Sequence, residues 1–329
     1  MQFIDHVIFE TFIILFSFII ILLYIKFFEK KVVDLRNYYD KGCFKIKLNL
    51  VSIYFNAIKY IYTSSIFPKE AKKQLFILAP LSTLFFSLIG WLIVPYNNNE
   101  FLSNLNLGIF YLLTIFSFSI FELLLVGWAS GFKYAFLSAL NSASQKMLYQ
   151  LCVGFLIISI LINVGSLNLI DIVNAQNRLW FSIKLFPIFI LFLICVLTEI
   201  KRLPNEILDN ENWIFFESKE YIKISNWLFC FTEYSHILLM SILIVIIFLG
   251  GWHPIFDIYP LNKINGSIWF LVKFVVVVYA FLWIRAYTPK YKYNQIMDLN
   301  LKIFIPISIL SMLVSATISI FFYDGTKIV

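Results

Sequence analysis

The chain has 329 residues, of which 61% are hydrophobic and only 14% are charged, whereas a soluble domain usually carries about 25% charged residues. This composition excludes a soluble globular fold, because such a fold would expose far too much apolar surface to water. The net charge of +7 does not indicate nucleic acid, since the basic residues lie in loops beside apolar segments, where they anchor and orient a membrane protein.

Eight apolar segments are long enough to cross a bilayer, which takes about 20 residues each. The backbone must satisfy its own hydrogen bonds in lipid, so each segment is predicted to be a helix. The fold class is therefore an all-α integral membrane protein, with residues 1–329 as one polytopic domain. The predicted spans are 7–27, 75–95, 108–130, 147–168, 180–200, 228–251, 267–288 and 302–323.

Lysine and arginine residues divide the loops between two sides of the membrane. Most of them lie in the loops after spans one, three, five and seven, which are 29–74, 131–146, 199–227 and 286–301. The remaining loops and the C-terminal tail carry only Arg178, Lys263 and Lys327. The positive-inside rule therefore predicts that the first group faces the cytoplasm or the mitochondrial matrix and that both termini lie opposite.

Two of the inside loops are predicted to contain helices. In the first loop, KLNLVSIYFNAIKYIYTSSIF is apolar on one side at helical spacing, which indicates an amphipathic helix lying in the membrane interface. The loop 131–146 is small and polar, and it is predicted to hold a short helix that joins spans three and four.

The loop between spans five and six is the most acidic part of the chain. Residues 198–234 read TEIKRLPNEILDNENWIFFESKEYIKISNWLFCFTEY. Isolated charges beside a bilayer are ordinary, but this density of carboxylates between two membrane helices indicates a function, with a solvated acidic linker as the alternative.

Some ionisable residues fall inside the predicted spans, where a charge costs at least a few kcal/mol and usually faces the bundle interior or water. Glu10 and Lys184 lie near span ends, and their side chains are expected to reach the interface. Glu122, Glu233 and Lys273 lie deeper, and we expect them to line a polar pathway.

Cysteine and histidine spacing predicts neither a disulfide framework nor a metal site. The four cysteines form no CxxC motif and the three histidines are scattered. These residues are Cys43, Cys152, Cys195, Cys230, His6, His236 and His253.

Four stretches resemble one family, subunit 1 of the proton-translocating NADH:ubiquinone oxidoreductase, respiratory complex I. Besides the acidic loop, they are GWASGFKYAFLSALNSASQKMLYQ at 127–150, FLGGW at 248–252 and FLWIRAYTPKYKYNQIMDLNLKIFIP at 281–306. They occur in the family's order along the chain and on the expected sides of the membrane, which makes the set more specific than any one motif.

The resemblance implies a function at the heel of the complex I membrane arm. The family supplies the membrane end of the ubiquinone tunnel and the start of a buried carboxylate chain. Ubiquinone is then the substrate, whereas NADH, FMN and the iron–sulfur clusters belong to partner subunits. The implied partners are other complex I subunits and membrane lipids, without nucleic acid. The A/T-rich codon bias of the composition favours the mitochondrial inner membrane, with a bacterial plasma membrane as the alternative.

The resemblance also assigns candidate residues by position. The proton relay would comprise Glu199, Glu206, Asp209, Glu211, Glu220 and Glu233. The quinone tunnel or subunit interfaces would comprise Glu29, Lys30, Lys31, Lys59, Arg202, Tyr234, Arg285, Lys290 and Lys292. For any single cation, we expect contact with lipid or a partner subunit rather than with quinone.

The chain departs from the family pattern at several positions. Gln150 stands where the family has a glutamate after a tyrosine, and Trp213 replaces an acid in the loop. Glu122, in the neighbouring span, is an acid that the family pattern does not include. We hypothesise that Glu122 restores the protonatable group lost at residue 150 and joins the relay. Other departures are Asp40, Cys43, Asn141 and Asn294.

Three other interpretations compete with this one. The homologous membrane subunit of a hydrogenase has similar spans without a quinone. A stand-alone secondary transporter often shows an internal repeat, but residues 1–165 and 166–329 share no motif. A purely structural anchor would not need Glu122 and Glu233 inside the membrane.

Overall fold

The computed structural model describes residues 72–95, 105–177, 179–200, 223–254, 265–287 and 293–326. These residues are almost entirely helical. The helices are α1 (Lys73–Trp91), α2 (Gly108–Ala129), α3 (Lys133–Val164), α4 (Leu169–Asn174), α5 (Phe181–Lys184), α6 (Phe186–Ile200), α7 (Lys223–Phe248), α8 (Gly266–Tyr287), α9 (Tyr293–Leu299) and α10 (Ile305–Thr326), with a π-helical turn at Asn300–Phe304 between α9 and α10.

Within the described ranges, six helices are long and apolar enough to cross a membrane. They are α1, α2, α3, α7, α8 and the helical stretch that runs from α9 into α10. This result supports a mostly helical, multi-pass membrane protein. The predicted span 7–27, the predicted interfacial helix in 29–74 and the body of the acidic loop lie outside the described residues, so the count of eight spans stays a prediction.

Helix α3 is longer than the span predicted from hydropathy. It begins at Lys133 rather than at residue 147, and it includes most of the loop predicted at 131–146. No proline interrupts it, and it ends at Gly165, whose φ of 77° is the left-handed conformation that favours glycine. Its 32 residues span about 48 Å. The hydrocarbon core is about 30 Å thick, so an untilted α3 would extend well beyond one membrane surface.

The predicted fifth span is two helices rather than one. Helix α5 ends at Lys184, Leu185 leaves the helical conformation with φ of −118° and ψ of 44°, and α6 begins at Phe186. Pro187 explains the break, because proline has no backbone N–H and is tolerated in the first turn of a helix but not in its interior. The apolar part of α6, Phe186–Thr198, is therefore shorter than a full span.

Helix α7 is the centre of the bundle. In its apolar segment Phe231–Phe248, 78% of the residues are buried, compared with 17–39% in the apolar segments of the other candidate spans. Phe248 at its end contacts the rings of Phe189 and Phe192 from α6, at centroid distances of 5.1 and 5.2 Å. Leu238 and Ile244 are fully buried. A mostly apolar helix that is buried on most sides is typical of the core of a membrane bundle.

The predicted inside loop 286–301 is partly helical. Helix α9 contacts α3 through a hydrogen bond of 3.2 Å between the hydroxyl groups of Tyr293 and Ser144. The π-helical turn then leads directly into α10. Large apolar side chains on α8 and α10, such as Val276 and Leu310, are exposed in the isolated chain, as expected for surfaces that face lipid or partner subunits.

Candidate functional site

Glu122 lies in the bundle interior. It continues a buried stripe on α2 that includes Ile115 and Ser119, at the three- and four-residue spacing of one helix face. Only 6% of Glu122 is exposed. The side chain therefore faces other helices rather than lipid, although the positions around it on α2 are strongly apolar.

The side chain of His236 on α7 approaches that of Glu122 on α2. The Nε2 atom of His236 lies 4.0 Å from Oε2 of Glu122. Nε2 of His236 and Oε1 of Glu122 are both buried, and neither has a hydrogen-bond partner in the described part of the chain. The ring of Phe116 on α2 also lies beside His236, at a centroid distance of 6.4 Å. The imidazole and the carboxylate thus face each other in an apolar setting.

Lys146 on α3 adds a positive charge to this group. Its ammonium attracts the Glu122 carboxylate and repels a positive charge on His236. Gln150 lies one helical turn further along α3, on the same face as Lys146. The Nε2 atom of Gln150 is buried and has no hydrogen-bond partner among the residues that the structure describes. The α2, α3 and α7 helices therefore bring Glu122, Lys146 and His236 to one place.

This arrangement can hold and exchange a proton. The distance of 4.0 Å between His236 and Glu122 exceeds a hydrogen bond by about 1 Å, so a small side-chain rotation would bring the two groups into contact. A buried carboxylate is costly unless a cation or a proton neutralises it, and both Lys146 and His236 can do so.

The structure describes only some of the other predicted site residues. Glu233 and Tyr234 are half-buried on α7, in the part that follows the acidic loop. For Glu199 on α6 and Arg285 on α8, the backbone is helical and the side chains are not described. The residues outside the described ranges are Glu29, Lys30, Lys31, Lys59, Arg202, Glu206, Asp209, Glu211, Glu220, Lys290 and Lys292.

His236 and Lys146 are members of this site that the sequence did not predict. A signal existed for His236, because it follows Glu233 by three residues on one helix and so shares its face. Lys146 precedes Gln150 by four residues, which also places both on one face. Only the tertiary structure, in which α2 packs against α3 and both α2 and α7 pack against α1, shows that these faces meet at Glu122.

Lys273 has a different role from the polar pathway expected for it. Its Nζ donates hydrogen bonds to the carbonyl oxygens of Leu249, Gly251 and His253, at 2.6, 3.1 and 2.6 Å. An ammonium has three donors, so all are used. These carbonyls follow the C-terminus of α7, where a cation is favoured by the helix dipole. Lys273 is therefore a buried cap for the end of α7.

Gln176 holds the same turn from the other side. Its Oε1 accepts hydrogen bonds from the backbone N–H groups of Gly250 and Phe181, and its Nε2 donates to the carbonyls of Ile172 and Ile246. Gly250 has a φ of 68° and lies so close to the Trp180 ring that a Cβ would be 3.0 Å away. The FLGGW motif thus forms a turn that needs glycine at this position.

The chain matches known proteins along most of its length. A family model described as NADH dehydrogenase matches residues 9–316. The H-type subunit of NADH-quinone oxidoreductase from Rhodospirillum centenum is 38% identical over 275 residues, covering 83% of this chain and 82% of that protein. NADH-ubiquinone oxidoreductase chain 1 of Arabidopsis thaliana is 40% identical over 255 residues, covering 77% of this chain and 78% of that protein.

These matches confirm the resemblance that four dispersed motifs indicate. The matched region includes every described helix from α1 to α9 and most of α10. The relatives are subunits of an enzyme complex, and the described helices have the length and composition of membrane spans. The chain therefore belongs to the NADH dehydrogenase family of membrane proteins, which comprises subunit 1 of complex I and its bacterial H-type equivalent in NADH-quinone oxidoreductase.

Proposed function

We propose that this subunit forms the membrane end of the ubiquinone tunnel and the start of the carboxylate relay that couples quinone reduction to proton translocation. Ubiquinone is the substrate, and FMN and the iron–sulfur clusters are held by partner subunits of the peripheral arm. The relatives' names, which state a quinone or ubiquinone oxidoreductase, favour this function over that of a hydrogenase component or a secondary transporter.

The burial of ionisable groups in the bundle is the observation that carries the proposal. Glu122 is almost completely buried, and Glu233 is half-buried one turn from His236. Such residues inside a membrane are costly, and they mark proton pathways when they face one another rather than lipid. The position of Glu122 also supports the hypothesis that it replaces the protonatable group absent at Gln150.

The acidic loop supplies the first part of the proposed relay. Glu199, Glu206, Asp209, Glu211 and Glu220 lie between α6 and α7 in the sequence, and Glu233 follows them on the central helix. Quinone reduction consumes two protons and changes the charge beside these carboxylates, so it can move protons along them. The loop faces the matrix in the mitochondrial inner membrane, or the cytoplasm in a bacterial plasma membrane.

Replacement of Glu233 tests this function. In the assembled complex in proteoliposomes, Glu233→Gln keeps the shape and removes the titratable group, so we expect normal assembly on native gels and loss of proton pumping coupled to quinone reduction. Asp171→Asn, an exposed acid on α4, is the matched control and should pump normally. Near-normal pumping by the Glu233 variant would remove this residue from the relay, and a chain isolated without flavin and iron–sulfur partners would refute the wider proposal.

A further inference from the structure

The group Glu122, Lys146 and His236 joins three helices at one point, and the family resemblance assigns no role to Lys146 or His236. Each side chain comes from a different helix, so the group is created by tertiary packing and not by a local motif. The carboxylate and the imidazole lie 4.0 Å apart and have buried polar atoms without hydrogen bonds within the described residues. A buried, incompletely satisfied polar pair needs an explanation in function or strain.

We propose that these three residues form a site that holds a proton. His236 receives this proton from Glu233 and passes it to Glu122, so the site is a side branch of the relay. The inference rests on the proposed function and adds a residue, His236, that neither the carboxylate series nor the family resemblance includes. The ligand of the site is a proton.

The spacing of residues along α7 gives the order in which the proton passes through the branch. Glu233 and His236 lie three residues apart on α7 and therefore share a face. Glu233 is nearer to the acidic loop along the chain, and His236 is one turn deeper. The Glu122 side chain on α2 then approaches His236. His236 is therefore the described group that connects the α7 end of the carboxylate series with α2.

The proton step is balanced within the group. The O–H bond of protonated Glu233 breaks and an N–H bond forms on the imidazole of His236, which leaves a carboxylate at Glu233. The Nε2–H bond of the protonated imidazole then breaks, an O–H bond forms on the Glu122 carboxylate, and both His236 and Glu122 become neutral. A rotation that shortens the distance by about 1 Å gives the required hydrogen bond. When the proton leaves, the Lys146 ammonium balances the carboxylate, so the interior does not retain an isolated negative charge.

The charged groups that face His236 from the neighbouring described helices are Glu122 and Lys146. Lys273 uses its three N–H groups in hydrogen bonds to carbonyl oxygens at the opposite end of α7. The ring of Phe116 contributes an apolar wall. The site is thus a single group, and substitutions within it should act together.

The test uses the assembled complex in proteoliposomes with the variants His236→Asn, Glu122→Gln and both together. We expect each single variant to lower coupled proton translocation about tenfold, less than the roughly 10²–10⁴ of a fully essential acid or base, because the other carboxylates remain. The double variant should be no slower than the singles. A redox-induced infrared difference spectrum should lose a protonated-carboxyl band in Glu122→Gln and show that band shifted in His236→Asn.

The proposal is overturned if His236→Asn has the translocation rate and the infrared spectrum of the native complex. It is also overturned if the two single effects multiply in the double variant, since that shows independent roles. His236→Gln replaces His236→Asn if the latter lowers assembly, and Glu122→Asp should restore part of the rate. Loss of pumping in Glu233→Gln with native behaviour of both other variants would reject this branch alone, whereas normal pumping in Glu233→Gln would remove Glu233 from the relay and with it the proton source of this branch.

Discussion

The ammonium of Lys273 lies 4.4 Å from the centroid of the Trp180 ring, on the face of that ring. Lys273 belongs to α8, and Trp180 precedes α5, so the contact joins two parts of the chain that flank the C-terminus of α7. Trp180 covers a cation that already donates to three carbonyls, and a cation over an indole contributes an attraction of about 1–2 kcal/mol. The C-terminal end of the central helix is therefore closed by charge, aromatic surface and backbone together.

Replacing Lys273 should destabilise the protein without directly interrupting proton transfer. Lys273→Met keeps the apolar stem and removes three donors from buried carbonyls, which we expect to cost on the order of 3 kcal/mol. The amount of assembled complex and its thermal inactivation midpoint should fall. Lys302→Met is the matched control, because Lys302 is 72% exposed and forms a surface ion pair with Asp298, which contributes about 0–1 kcal/mol. A stable Lys273→Met complex that has lost pumping would place Lys273 in the relay instead.

Replacing Gln176 should weaken the same turn. Gln176→Leu removes four hydrogen bonds of a residue that is 1% exposed, and the expected loss is roughly 2–4 kcal/mol of stability. Asn163→Leu, which removes one local bond to the carbonyl of Ser159, should have a much smaller effect. Thermal inactivation measures both. Because Gln176 and Lys273 hold one turn, their double variant should lose less stability than the sum, and full additivity would contradict that coupling.

Substitution by alanine should have opposite effects on stability at Gly127 and Gly154. A Cβ at Gly127 would lie 2.3 Å from Cβ of Ala139 and 3.3 Å from the carbonyl oxygen of Ala135, so Gly127→Ala must push α2 from α3. We expect a loss of at least about 1–3 kcal/mol and less assembled complex. Gly154 in α3 has no atom within 4 Å of such a Cβ, so Gly154→Ala should be neutral or stabilise by up to about 1 kcal/mol. Equal effects of the two variants on native gels would contradict the close packing of α2 on α3.

The positive-inside orientation predicts opposite accessibility for two exposed positions. In that orientation Asn177, which follows α4, would lie on the side of the termini, and Tyr134, near the start of α3, would lie on the matrix or cytoplasmic side. With Cys43 and Cys230 replaced by serine, Asn177→Cys should react with a membrane-impermeant thiol reagent from outside only, and Tyr134→Cys from inside only. Cys152 and Cys195 are fully buried and should stay unlabelled. Labelling after solubilisation shows whether partner subunits, rather than the membrane, shield either cysteine. If the two cysteines react from the opposite sides, the predicted orientation is wrong.

Hydropathy predicts the helices that a bilayer requires. The predicted spans 108–130 and 267–288 nearly coincide with α2 and α8, because about 20 apolar residues in lipid have no other way to satisfy their backbone. Hydropathy does not predict the limits of a helix whose end is polar but still helical. The start of α3 is too polar to be predicted as part of a span, and a separate short helix is predicted there. No residue stops the helix, so that segment is continuous with the fourth span and α3 begins at Lys133.

The membrane class, the family and the acidic loop could be read from the sequence, because composition and motif order are properties of the chain alone. Which ionisable residues meet depends instead on how the helices pack. Lys273 becomes a cap because α8 places it at the end of α7. Glu122 approaches His236 because α2 and α7 both pack against α1, and it lies near Lys146 because α2 packs against α3. Contacts between side chains on different helices depend on rotation and depth in the bundle, and the spacing along any one helix does not specify them.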